Sequence, residues 1–215
     1  MSNTDSFIDE VNEEVRKDRL FALMRRYGWI AILLVLLLVG GAAFREYRLA
    51  QNRAAAQDTG DQILAALQLE EADARVAALA EVTSDGDVAA IVAMLAASGD
   101  ADAGNAGLAR AELQNIAQNG AISRHVRELA ALKLVMLSAD DMTLDERMIA
   151  LTPLAAPGAP YRLLAEEQIA LVEIAQGKPD AAIERLRLVS EDIEVTQGLR
   201  QRALDVIVAL GGSNE

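Results

Sequence analysis

The chain has no cysteine, a single histidine, a single tryptophan, three phenylalanines and four prolines in 215 residues. Without cysteine there is no disulfide framework, no thiol nucleophile and no cysteine-ligated zinc. With His125 as the sole histidine, a serine–histidine–acid triad has only one place to form and a multi-histidine metal site has none. Bases are scarce as well: 20 Lys and Arg stand against 33 Asp and Glu, for a formal net charge of −13. The clustered cations that general nucleic-acid binding needs are therefore missing. Aromatic residues make up 3% of the chain, and no segment alternates apolar and polar residues in the manner of a strand. What is abundant is alanine, at 41 positions, with leucine beside it. Both favour helix, and an all-α chain is the expectation.

One long hydrophobic run stands out. Arg26 and Arg45 bracket the 18 residues 27–44, which carry no charge. As a helix this run is about 27 Å long and just fits a hydrocarbon core of about 30 Å. Tyr27 and Trp29 at one end, and Phe44 and Tyr47 at the other, have the amphipathic rings that settle at lipid head groups. Arg25, Arg26, Arg45 and Arg48 flank them and can snorkel outward. The rival is a cleaved signal peptide, with Gly41 and Ala43 before a cut at Phe44. The 26-residue acidic lead and the length of the run argue instead for an uncleaved anchor. Gly40, Gly41 and Ala43 offer a small face against which another membrane helix can pack, although no Gly-x-x-x-Gly is present. Five bases precede the run, and Arg45, Arg48 and Arg53 follow it, which favours a cytoplasmic N-terminus.

The lead, residues 1–26, reads as an amphipathic helix. Ser6 to Asp9 has the form of a capping box, Phe7, Val11 and Val15 recur every fourth residue, and Glu13 and Lys17 form an i,i+4 pair. It serves either as a solvated topological lead-in or as a docking helix.

The remainder, 45–215, holds 15 of the bases and 27 of the acids and so carries −12 of the net charge. Helical periodicity covers about 45–70, 72–83, 87–98, 102–119, 122–138, 142–152, 159–176, 179–191 and 196–210, with turn residues between. Short helices joined by short turns predict stacked hairpins. Aligning Gly99, Asp140 and Gly177 as turn positions gives spacings of 41 and 37, against a period of about 34 for tetratricopeptide repeats. The last copy is the clearest. Gly177 is followed by Ala182, Leu186 and Val189, a small residue where helices cross and then two inward apolar residues. In that register Glu166 and Glu173 fall where the first helix of such a repeat wants large apolar side chains, and Gly104 and Asp145 take the small position of the earlier copies.

These features together resemble the YfgM-type ancillary subunits of the bacterial Sec translocon. The resemblance is carried by FIDEVNEEVRKDRLFALMRRYGWIAILLVLLLVGGAAFREYR over 7–48 and LAAPGAPYRLLAEEQIALVEIAQGKPDAAIERL over 154–186, which look like the α-proteobacterial branch. It implies a single-pass protein of the bacterial inner membrane. The segment 1–26 would be cytoplasmic, 27–44 the anchor, and 45–215 a periplasmic solenoid of tetratricopeptide-like hairpins. It further implies a non-enzymatic scaffold without cofactor. Its partners would be translocon channel subunits, a membrane-anchored periplasmic peptidyl-prolyl isomerase and exported client chains. The alternative of another class is a transmembrane regulator whose cytoplasmic tail holds a cytoplasmic factor.

Sites of chemistry are few. His125 sits between arginines and reads as a surface histidine at a helix start. Asp100, Asp102, Asp140 and Asp141 lack the spacing of a calcium loop and read as turn and cap residues. Gly104, Asn105 and Gly107 lack the spacing and the Lys-Ser/Thr of a phosphate loop. Glu166 and Glu167 point to different sides of one helix and read as solvated. The remaining candidate is the concave face of the stack. There the first helices would present Ala89, Ala93 and Ala96, then Arg127, Ala130, Leu134 and Leu137, then Leu164, Glu167, Leu171 and Ile174. A groove for a protein segment over Arg127, Leu134, Leu164, Glu167 and Leu171 is the expectation, with ordinary packing between hairpins as its alternative.

Overall fold

A computed structural model describes the backbone of residues 3–212, with side chains from Arg25 onward except at Gly28, Ala31 and Ile32. Among the described residues there are nine helices and no strand. The chain divides into two compact units, Met1–Asp58 and Thr59–Glu215.

Helix α1 is Asn3–Leu67. The expected side-chain pattern of the tail, from Phe7 to Lys17, lies outside the described residues. Among the described residues no helix is long and apolar enough to cross a membrane; the expected span takes in Gly28, Ala31 and Ile32, which lie outside them. The apolar side chains that are described stand open: Leu33 through Val39 are all exposed, as are Tyr27, Trp29 and Phe44. The Arg26 guanidinium lies 5.8 Å from the Tyr27 ring centre and that of Arg48 5.1 Å from Phe44, within cation–π range.

In the second unit eight helices follow: α2 Ala72–Ala80, α3 Gly86–Asp102, α4 Ala106–Gln118, α5 Arg124–Leu137, α6 Leu144–Leu151, α7 Arg162–Ala175, α8 Pro179–Glu191 and α9 Gln197–Ala209. Each packs mainly on its neighbours in sequence, and the core is a relay of four local clusters. Ala66, Leu79 and Val92 join the end of α1 to α2 and α3. Met94, Leu113 and Val126 centre a cluster of α3, α4 and α5. Leu132, Leu151 and Val172 join α5, α6 and α7, and Ala170, Leu186 and Ile207 join α7, α8 and α9. Nearest-neighbour burial of this kind defines a helical solenoid.

Local chemistry explains the helix ends. Pro179 opens α8 at the first helical position, where its missing N–H costs nothing. Thr143 caps α6 in a full capping box. Its Oγ1 accepts from the Glu146 N–H, and the Glu146 carboxylate accepts from the Thr143 N–H at 2.8 Å. Gly104 (φ +86°) and Gly177 (φ +74°) take the left-handed conformation that ends α3 and α7. Each turn closes with the same pair of backbone bonds, Asn105 N–H to Asp100 O and Gly104 N–H to Ala101 O, Lys178 N–H to Glu173 O and Gly177 N–H to Ile174 O.

These two turns correct the expected register. Gly99 does not end a helix; α3 runs through it to Asp102. It is small because α2 passes close by: a Cβ on Gly99 would lie 2.8 Å from Val76 Cγ2. The first hairpin turn is Gly104 itself, so Gly104 is not the small crossing residue. That role falls to Ala109, five residues on and fully buried, followed by Leu113 and Ile116. Gly177 is followed at the same offsets by Ala182, Leu186 and Val189, all buried. The middle hairpin lacks a turn glycine, and its short α6 presents Leu144, Met148 and Leu151 instead, with Leu151 fully buried.

Candidate functional site

The first helices of successive hairpins share one open face. On α5 it is formed by Leu129, Leu132, Lys133 and Met136, and on α7 by Leu164, Glu167, Gln168 and Leu171. Both sets have the spacing i, i+3, i+4, i+7, one stripe of a helix. Arg202, Asp205 and Val206 of α9 form the third wall, and Leu186 of α8 lies in the floor. The lining repeats in sequence: each α5 position recurs 35 residues later on α7, and Glu167 and Leu171 recur 35 residues later as Arg202 and Val206. The groove has a volume of about 620 Å³. Met136 and Leu171 are 51% and 38% exposed, so the groove is open and apolar rather than filled by the protein's own side chains.

Of the residues expected to form this site, Leu164, Glu167 and Leu171 are brought together in it. Arg127 and Leu134 are not. Leu134 and Leu137 turn to the other flank of α5 and pack against the α3–α4–α5 cluster that contains Ala130. Helix α5 must seat on α4 as well as on α7, and the 126–130–134–137 stripe is spent on that contact. Ala93 and Ala96 likewise back onto core clusters, and with Ala89 they line a separate depression between α2, α3 and α4. Ile174 packs against the last cluster. The residues missed, Leu129, Leu132, Lys133 and Met136, carry the same periodic signal as their neighbours. They are separable only once the partner of each stripe is known.

The acids of α7 are corrected from solvated to paired. They do face different sides. Glu167 accepts two hydrogen bonds from Arg202, at 2.8 and 2.9 Å, and so ties α9 to α7 across the groove wall. Glu173 accepts from Arg185 at 3.0 and 2.7 Å, and Arg185 also bonds Glu166. Glu173 is buried, at 8% exposure. The large apolar residue expected of a repeat at this place is replaced by a charge triad joining α7 to α8. Such forked pairings keep the guanidinium protonated. Hydrogen bonding to Glu173 raises the Arg185 pKa, burial opposes it, and Glu166 adds to the rise. The bonds to Glu167 raise that of Arg202 against a smaller opposing effect of burial. Arg162 bonds Asp192 at 2.7 Å, and this bond, with the Glu194 backbone N–H, holds the Asp192 carboxyl below its ordinary value.

The other singled-out residues take structural places. His125 is exposed in the first turn of α5. Asp102 and Asp141 pair with Arg75 and Arg110, and Asp100 and Asp102 lie in the last turn of α3 rather than in a turn or cap. Among the described residues no three His, Asp or Glu side chains converge as metal ligands. Arg25, Arg26 and Arg45 are exposed along α1, and a Cβ on Gly40 or Gly41 would meet nothing within 4 Å.

A family described as a tetratricopeptide repeat-like domain matches residues 25–158. The match takes in the whole 27–44 apolar run, the rest of α1, α2 to α6 and so the α5 wall of the groove. Helices α7, α8 and α9 lie beyond it. No curated protein and no solved structure matches the chain.

Proposed function

Since the chain belongs to the YfgM-type tetratricopeptide repeat-like domain family, we propose that it is a membrane-anchored scaffold that performs no chemistry of its own. In this reading residues 27–44 cross the bacterial inner membrane, 1–26 lie in the cytoplasm, and the acidic helical stack in the periplasm binds protein partners. These are subunits of the Sec translocon, a membrane-anchored periplasmic peptidyl-prolyl isomerase and exported chains passing to their chaperones. Protein–protein interaction follows from the repeat family itself. The observation that carries the finer reading is the open apolar groove across α5, α7 and α9, built on helices tied to one another by the Glu167–Arg202 and Arg185 pairings. A rigid concave stack with an apolar lining is suited to holding a segment of another protein. The anchor is supported by the uncharged 27–44 run with its flanking arginines, and by the exposed apolar side chains of Leu33–Val39. Acidic charge on the stack keeps it soluble and off anionic lipid.

The test is affinity capture in mild detergent from cross-linked cells. Translocon subunits or periplasmic chaperones are expected in the eluate, with a photo-cross-linker at Met136 or Leu171 joining one of them directly. Recovery of neither class refutes the assignment. A reporter fused after Glu215 that is active only in the cytoplasm refutes the topology.

A further inference from the structure

We propose that the occupant of the α5–α7–α9 groove is a short amphipathic α-helix of a partner protein, with an acidic residue along one edge of its apolar stripe and a basic residue along the other. The inference rests on the groove being the partner site and adds what kind of segment enters it.

The walls do not offer two other common modes of peptide capture. All three are helices whose backbone groups are bonded within themselves, so no strand edge is available for an extended peptide to join. The described lining contains no aromatic side chain of the sort that cradles polyproline segments. What the α5 and α7 walls present is side-chain ridges at i, i+3, i+4, i+7, the complement of the ridges of another helix. From i to i+7 each ridge is about 10.5 Å long, which engages about two turns of the occupant. Met136, Leu164 and Leu171 therefore receive two or three apolar side chains of similar spacing, over a floor that includes the buried Leu132.

The charges fix the edges. Glu167 and Arg202 satisfy each other. Lys133, on the α5 wall, reaches only Ser98 Oγ, at 3.4 Å, and pairs with no carboxylate among the described residues. Asp205, on the α9 wall, accepts from Gln201 at 2.8 Å and pairs with no cation among them. An unpaired cation on one wall and an unpaired anion on the other call for an acid and a base on opposite flanks of the occupant. An unpaired cation in a domain with so large an excess of acid is the feature that bulk charge does not predict.

The experiment uses the full chain in detergent micelles and three stapled, fluorescent helices with leucine at i, i+3, i+4, i+7. Their flanks carry Glu and Lys, Lys and Lys, or Glu and Glu, and anisotropy reads binding. The Glu/Lys helix is expected to bind about tenfold more tightly than either of the others. K133E is expected to transfer the preference to the Lys/Lys helix, and D205K to the Glu/Glu helix. L171E should abolish binding of all three. Tightest binding of Lys/Lys to the unaltered chain would show that bulk attraction governs, and overturns the proposal. So does equal binding of a proline-interrupted peptide that cannot form a helix. If Met136 cross-links translocon subunits or chaperones in cells while no helix binds, the helical occupant is wrong and the scaffold reading stands. If neither occurs, both fall.

Discussion

Replacing Arg185 with methionine should cost far more than its position on a helix surface implies. The substitution removes the cation that bonds both Glu166 and Glu173 and leaves two unpaired carboxylates about two turns apart on α7. Glu173 is 8% exposed, so its charge has little water to fall back on. Breaking a fully buried pair costs about 3–5 kcal/mol. Arg185 keeps 31% of its side-chain exposure and Glu166 22%, so part of that penalty is relieved by solvent. A local loss of about 2–3 kcal/mol remains, equivalent to roughly 30–150-fold at 1.36 kcal/mol per decade. The double variant R185M/E173M removes the more buried of the two stranded charges together with its partner and leaves only Glu166, which solvent reaches. Two methionines of comparable length then pack where a tetratricopeptide repeat places apolar residues, and stability should return to within about 1 kcal/mol of the parent. Hydrogen-exchange mass spectrometry on the full chain in micelles reads this region by region. Amides of α7 and α8 should exchange faster by the stated factor in R185M and recover in the double variant. Those of α4 should not change, because burial is local along the stack. A change below threefold in R185M, or a double variant no better than the single, refutes the reasoning.

Gly99→Ala should gain the usual helix preference of about 1 kcal/mol and lose more to the 2.8 Å approach of Val76 Cγ2, a stiff β-branched side chain. The expected net is a looser α2–α3 contact, and V76A should turn the same change into a gain; exchange rates in α2 check both. Thr143→Ala removes the hydroxyl that accepts from the Glu146 N–H, leaves the backbone half of the α6 capping box in place, and should cost about 1 kcal/mol, read as faster exchange in α6 and nowhere beyond its neighbours. Asp192 has its pKa lowered from 3.8 by the Arg162 hydrogen bond. A carboxylate depressed in the folded state stabilises it fully above the unfolded value and loses that contribution as pH falls through the folded one. D192N should therefore melt below the parent at neutral pH, and the gap in Tm should close as pH drops below 3.8. A gap that widens in acid would show the sign to be wrong.

The legibility of the fold varied with how local its causes are. Helix α8 is expected at 179–191 and found there, because Pro179 at the first position and the Ala182–Leu186–Val189 stripe are both read within one helix. The break expected at Gly99 lies five residues later. A glycine in a helical pattern reads the same whether it ends the helix or admits a neighbour, and only the nearness of Val76 distinguishes them. Once the turn is placed at Gly104, the first and last hairpins share their offsets, and the repeat becomes visible in the residues that had obscured it.

The groove shows the same division. Composition and periodicity by themselves determined an all-helical chain, the separation of an uncharged apolar run from an acidic helical remainder, and an apolar stripe on each first helix. Only the tertiary structure decided which stripe of each helix is core and which is open. Leu134 and Met136 are both apolar and two residues apart, yet one is spent on the α3–α4–α5 cluster and the other lines the groove. It also decided that Glu173, charged at a place where the repeat wants an apolar side chain, sits buried against a guanidinium arriving from the next helix. The physical reason is that a helix carries its hydrogen bonds and periodicity within itself. The fate of each of its faces is set by neighbours dozens of residues away.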